Sequence, residues 1–286
     1  MDLHYEKTFR GTKFLYETDH TINLITENIL ESKNIYKKYR DELDPILLSN
    51  YVREVWVGES PPENEIDTVR IVDSLIEGVD ISAELHSSTL TKLENLITAM
   101  NNILVLDEIL ENYDFFTLEF AKKIHSTIGK DLIESPGLLR TKAVRATNSS
   151  VKYATPMSIE EKLVGLFDFI RSAASQAPHD DALRCTYMIR LGSFFFSEFL
   201  LIHPFSNGNG RTARILLQAF LRNFVLIPFS LYVSNRDEYI KVLERRNDLS
   251  PPSALARYVL LACNRTASPI KWLAMTYSEK GETKEE

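Results

Sequence analysis

Twelve consecutive residues hold most of the chemistry in this sequence: His203-Pro204-Phe205-Ser206-Asn207-Gly208-Asn209-Gly210-Arg211-Thr212-Ala213-Arg214. A histidine titrates near neutrality and can take a proton from a hydroxyl. The proline after it keeps His203 out of helical geometry, so its ring stands at the end of a helix rather than along it. Gly208, Asn209 and Gly210 supply permissive backbone just before a new helix, where unpaired N–H groups and the helix dipole favour an anion. Arg211 and Arg214 follow on one face of the first turn, at i and i+3. Two cations there oppose the dipole at a cost of about 0.3 to 1 kcal/mol each. A bound polyanion removes the conflict, and a nucleoside triphosphate suits a loop, two arginines and a helix N-terminus converging on one spot. Taken singly, a histidine before proline is usually a satisfied half-buried residue, and a glycine loop is usually a turn. Seven fixed identities together arise by chance on the order of once in a billion windows, which excludes that bland account.

The rest of the chain must hold this loop in place. Glycine is scarce, 10 of 286 residues, and apolar residues recur at i, i+3, i+4 and i+7 through most of the sequence, so the fold class is mainly α. An N-terminal helical region of roughly sixty residues, with a helical segment over 21–29, ends at Gly58-Glu59-Ser60-Pro61-Pro62. That cluster of breakers predicts a linker between helices. A short helix follows, with Asp67 as N-cap, Val69, Val72 and Ile76 on one face and Gly78 as its stop. Longer amphipathic helices are predicted over 90–110 and 117–128, separated by a turn at Asn112-Tyr113-Asp114. Over 136–156 the helical pattern breaks, and Val144 and Val151 flank Thr147-Asn148-Ser149-Ser150 as in a β-hairpin. Helices resume over 159–170, 182–202 and 211–226, the last two apolar enough to be buried on most sides. Residues 276–286 are charged and predicted to be disordered.

Composition narrows the function classes. The formal net charge is -7, with Lys and Arg scattered rather than banked, which argues against nucleic acid as a main partner. No run reaches the eighteen apolar residues of a membrane helix, and the start, MDLHYEKTFR, lacks a signal-peptide pattern. These features predict a cytoplasmic protein without a membrane partner. Cys185 and Cys263 sit in apolar helical patterns and read as core residues rather than a bridge or a metal pair.

The string over 203–214 closely resembles the signature of the Fic family, usually HPFx(D/E)GNGRxxR, and weaker resemblance runs from about residue 76 to residue 247. The resemblance implies a Fic-fold helical bundle whose core spans 96–275, with a flap at 136–156 that docks a target segment by main-chain pairing; Gly137 and Arg140 fit its pattern. It implies transfer of AMP from ATP to Ser, Thr or Tyr of a target protein or of the chain itself. In that scheme His203 is the general base and Gly208, Asn209 and Gly210 hold phosphates. Arg211 stabilises the transferring and leaving phosphates, Arg214 reaches the γ-phosphate, Phe205 is a packing anchor, and Tyr239 and Asn247 contact the base. Magnesium, or manganese, is the implied metal. Asn207 departs from the family's Asp or Glu at the metal position, and a neutral amide oxygen should bind the ion more weakly. Residues 63–95 resemble the family's inhibitory-helix region: Ile76-Glu77-Gly78 partly matches (S/T)xxxE(G/N), although Asp73 stands where Ser or Thr is usual. Glu77 is thereby expected to pair with Arg214 and restrain the enzyme.

Two alternatives stay open on these residues: transfer of another group (UMP, phosphate or phosphocholine), or a nucleotide-binding regulatory module with weak catalysis. Removal of AMP from modified targets by the same site and homodimer formation are further expectations from the resemblance.

Overall fold

In the computed structural model the apolar periodicity becomes helix almost throughout, over the described residues 3–14, 17–59, 67–106, 113–144, 152–232, 241–243 and 251–282. The helices are α1 (Leu3–Arg10), α2 (Asp19–Tyr36), α3 (Arg40–Glu59), α4 (Thr68–Ile76), α5 (Ser87–Leu104), α6 (Leu118–Gly129), α7 (Ile159–Ser175), α8 (Asp181–Ile202), α9 (Asn209–Leu221), α10 (Pro251–Ala267) and α11 (Ile270–Glu282). A single 3₁₀ turn, Pro156–Ser158, leads into α7. Local chemistry sets several starts: the side chains of Thr18, Asp67, Thr117 and Asp180 each accept a hydrogen bond from a backbone N–H three residues on, satisfying donors that a helix start leaves unpaired.

The centre of the bundle is α8, which packs against α2, α7, α9 and α10. Phe194, Phe195, Phe196 and Phe199 on it are fully buried. Phe116, ahead of α6, meets Phe167, Phe195 and Phe220 at centroid separations of 5.2, 4.8 and 5.2 Å, within the range of favourable aromatic pairs. By length and composition α8 would suffice to cross a membrane, but 67% of its most apolar window is buried inside the bundle, which accounts for its character. The core is continuous from α1 through α10, so the N-terminal helices share it with the helices that carry the signature.

The structure departs from the sequence reading at several boundaries. Gly58 and Glu59, the first two residues of the breaker cluster, still belong to α3, and Ser60, Pro61 and Pro62 lie outside the described residues. A Cβ on Gly58 would lie 2.5 Å from the Tyr232 ring, so this glycine serves a close approach rather than a turn. The predicted helix over 90–110 runs from Ser87 to Leu104, and 107–110 lie outside the described residues. The helix predicted over 211–226 ends at Leu221, followed by a turn over 222–224. Residues 276–282, predicted disordered, continue α11 as far as Glu282; Ile270 and Ala274 bury one side of its start, and the Glu and Lys beyond favour helix. The flap segments 136–144 and 152–155 contain no strand, and 145–151, which include its predicted turn, lie outside the described residues. Hydrogen bonds from the Arg140 side chain to the Lys142 and Ala154 carbonyls join the two arms instead.

Candidate active site

His203 is the C-cap of α8 and adopts a left-handed backbone, φ 52° and ψ 62°. Such a conformation costs a non-glycine residue on the order of 1–3 kcal/mol and persists only where its surroundings enforce it. Two bonds enforce it here. The His203 N–H donates to the Phe199 carbonyl at 3.0 Å, and its own carbonyl accepts from Arg140 Nε at 2.7 Å. Arg140 is buried and gives its remaining donors to carbonyls on both flap arms and on α8: Lys142 at 2.9 Å, Ala154 at 2.6 Å and Ile202 at 3.4 Å. The Arg140 N–H donates to the Pro204 carbonyl at 2.9 Å. A planar guanidinium with five donors in a fixed fork suits such a junction of carbonyls.

The His203 ring stacks on Tyr153 of the second flap arm, centroids 3.9 Å apart and planes 17° apart. The nearby Leu200 carbonyl favours the protonated ring. A neutral imidazole carries one donor and one acceptor nitrogen, so in that form the ring offers a proton acceptor. Burial, first of all, pushes the pKa down to about 4; the Leu200 carbonyl opposes this and the Arg140 charge adds to it. The imidazole is therefore neutral at pH 7 and ready to accept a proton.

The loop from Pro204 to Gly208 is closed by its own side chains. The Asn209 amide accepts from the Phe205 N–H at 2.9 Å and donates to the Phe205 carbonyl at 2.8 Å. Asn209 is buried, so its side chain shapes the loop and only its backbone is left to meet a phosphate. Gly208, at φ 74°, is the N-cap of α9 without a side-chain cap. The first-turn N–H groups of Asn209, Gly210 and Arg211 thus lack the partner that Thr18 or Thr117 supplies elsewhere, the arrangement that suits an anion. Asn207 is exposed, and its Oδ1 accepts from the Gly208 N–H at 2.7 Å. An amide oxygen has two lone pairs, so one remains. Magnesium takes one or two protein oxygens and draws the others from water and phosphate. This loop fits such a phosphate-borne ion. The described residues hold no group of three or more His, Cys, Asp or Glu placed to bind a metal by themselves.

Arg211 and Arg214 both face Glu59 at the end of α3. The Arg214 Nη2 and Glu59 Oε1 form an ion pair and hydrogen bond, the Arg211 Nε lies 3.9 Å from Glu59 Oε2, and the Tyr232 hydroxyl donates to Glu59 Oε1 at 3.5 Å. The Arg214 guanidinium sits 5.1 Å from the Tyr232 ring centroid, in cation–π range. Burial holds the Arg211 pKa below its ordinary value, partly offset by Tyr232. Arg214 is 4% exposed. One carboxylate therefore faces both cations that the sequence assigns to phosphate and offsets one of their two charges.

The expected partner of Arg214 was Glu77, and the structure corrects this. Glu77 is the exposed C-cap of α4, and no ion pair joins it to Arg214 among the described residues. The end of α3 occupies the space beside Arg214, where Glu59 takes the place expected of Glu77. Nothing marks Glu59 in the sequence beyond its place in the Gly-Glu-Ser-Pro-Pro cluster, where it reads as a loop residue. His203, Asn207, Gly208, Asn209, Gly210, Arg211 and Arg214 do come together at the α8–α9 junction. Tyr239 and Asn247 lie outside the described residues.

A model of the Fic/DOC family matches residues 115–221, from the aromatic cluster before α6 to the end of α9. Protein adenylyltransferase fic-1 of Caenorhabditis briggsae is 31% identical over 121 residues, 41% of this chain and 22% of that protein; the Caenorhabditis elegans enzyme of the same name is 32% identical over the same shares. The chain thus spans about a fifth of the length of these curated relatives, 22% of each. A Fido domain-containing protein of Dictyostelium discoideum is 31% identical over 118 residues, 73% of its length. Among solved structures, a Fic domain containing signaling protein from Bacteroides thetaiotaomicron has a TM-score of 0.63 at 14% identity, covering 96% of each chain. Fic-1 of Caenorhabditis elegans has a TM-score of 0.62 at 18% identity, covering 96% of this chain and 72% of that one. Fold and signature loop together define a helical protein of the Fic fold. The chain belongs to the Fic/DOC family.

Proposed function

We propose that the chain is a protein adenylyltransferase, transferring AMP from ATP to a Ser, Thr or Tyr hydroxyl of a protein and of itself. The observation that carries this reading is the neutral His203 imidazole, stacked on Tyr153, one short loop away from an uncapped helix start bearing Arg211 and Arg214. The target hydroxyl oxygen attacks the α-phosphorus while His203 accepts its proton; the bond from that phosphorus to the bridging oxygen breaks, and diphosphate leaves. The N–H groups at the start of α9 and the two arginines balance charge on the phosphates. A magnesium or manganese ion on the phosphates would neutralise part of that charge, with Asn207 as its protein oxygen.

The same geometry supports self-restraint. Glu59 sits where a phosphate anion would meet Arg214 and Arg211, so nucleotide must displace it. A charge-assisted pair of this kind competes directly with ligand.

Two labels of ATP test the reaction. Label on the α-phosphate should enter protein and label on the γ-phosphate should not, and His203→Ala should abolish incorporation while leaving ATP binding within about twofold. Incorporation of the γ-label would favour phosphate transfer, and an active His203→Ala variant would remove the base from the mechanism.

A further inference from the structure

A second histidine lies beneath the signature loop, where the transfer scheme gives it no part. His125, on α6, is fully buried. Its Nδ1 accepts a hydrogen bond from the Gly137 N–H at 2.7 Å, at the start of the first flap arm. The ring is then neutral with its proton on Nε2, because a nitrogen that accepts cannot also carry the hydrogen. That Nε2 lies 3.0 Å from the Asn207 carbonyl and donates to it. The ring lies flat on Phe205, centroids 3.7 Å apart and planes 4° apart. It also fills the floor under Gly208: a Cβ there would lie 3.3 Å from His125 Nε2 and 3.1 Å from Ile133 Cδ1. One side chain therefore touches three of the four residues from Phe205 to Gly208 and, through its other edge, the flap arm.

We propose that His125 is a positioning residue: as the Nε2–H tautomer it ties Gly137 of the flap arm to the Asn207 carbonyl and sets the height of the loop whose amides meet phosphate. The arrangement needs the histidine edge to edge. Gly137 offers only a donor and Asn207 only an acceptor in these bonds, so a side chain must present one acceptor and one donor on opposite sides while staying flat against Phe205. Imidazole does this in one tautomer. Arg140, three residues beyond Gly137, holds the same arm to His203 and Pro204, so flap arm and loop are joined at two points. Those bonds run to the base on one side and to the phosphate-facing backbone on the other, and a displacement of about 1 Å in such a site is enough to cost on the order of a hundredfold in rate.

The inference rests on the nucleotide-binding reading of the loop, and its decisive measurements are made without nucleotide. On the full chain with ¹⁵N-labelled histidine, two-bond ¹H–¹⁵N correlation spectra should show His125 as the Nε2–H tautomer; an Nδ1–H tautomer or a doubly protonated ring at pH 7 overturns the proposal. His125→Phe keeps the flat packing on Phe205 and loses both bonds, whereas His125→Gln retains one donor and one acceptor. Amide exchange at Gly137 and over 208–211 should speed up about tenfold or more in His125→Phe, with exchange in α8 and α10 unchanged, and should return towards wild type in His125→Gln. Wild-type exchange at those amides in a folded His125→Phe protein, or equal acceleration everywhere in both variants, would reduce His125 to ordinary packing. If His125→Phe does not fold, the wild-type tautomer decides. ATP affinity, weakened about tenfold in His125→Phe and restored in His125→Gln, is read separately: wild type that binds no ATP would refute the nucleotide reading while the tautomer and exchange data still judge the brace.

Discussion

At the scale of single residues the chemistry depends on how the fold treats two imidazoles. His203 and His125 are both driven towards the neutral form chiefly by burial, but only His203 keeps a free acceptor nitrogen. With its pKa pushed down to about 4, His203 stays neutral through the physiological range, so kcat/KM for AMP transfer should be flat from about pH 8 to about pH 5.5 and fall only as pH drops through about 4. An acidic limb with an apparent pKa near 6.5 would show that the base is not shielded as described. The same shift has a stability sign. Between pH 6.5 and about 4 the unfolded chain binds a proton at His203 that the native state does not. The stability associated with the neutral ring is thus fully present above pH 6.5 and lost as pH falls through that window.

At the scale of elements, the end of α3 against the start of α9 decides what the arginines do. Glu59→Gln removes the competing negative charge at nearly constant volume. It should tighten ATP binding about tenfold, corresponding to roughly 1.4 kcal/mol, and raise the transfer rate at limiting ATP, as calorimetric titration and a labelled-ATP assay would record. Unchanged affinity would mean that Glu59 does not compete for the site. Gly58→Ala tests the same contact by sterics. In an unconstrained helix, alanine for glycine stabilises by up to about 1 kcal/mol, but here the new Cβ would meet the Tyr232 ring at 2.5 Å. We expect destabilisation by about 1–3 kcal/mol, measured by urea unfolding, so the sign alone distinguishes the two cases.

At the scale of the molecule, one aromatic core holds α6, α7, α8 and α9 in register around the site. Phe116 lies at its centre, fully buried against Phe167, Phe195 and Phe220. Phe116→Ala should cost about 3–5 kcal/mol of unfolding free energy. Because those rings seat α8 and α9, whose junction carries His203 and the signature loop, ATP affinity should fall with it even at temperatures where the protein remains folded. A loss under about 1 kcal/mol in urea titration would mean that the cluster repacks freely.

The sequence by itself determined the helical class, the start of α4 at the Asp67 cap, and the identity of the signature loop. These are written in local patterns: an apolar repeat of 3.6, a cap three residues from its donor, a histidine before proline, glycines before two arginines. Tertiary structure alone decided which carboxylate meets Arg214. Glu77 ends a short helix in plausible register, yet Glu59, at a sequence separation of 155, is the residue that the packing of α3 delivers. The role of Gly58 depended in the same way on a ring 174 positions further along, at Tyr232, and reads locally as a break. His125 was equally invisible as a brace, because its two bonds span separations of 12 and 82 residues and a lone histidine on an apolar helix face carries no local sign of what it touches. Contacts between residues far apart in sequence are chosen by how helices pack against one another, and no local periodicity encodes that choice.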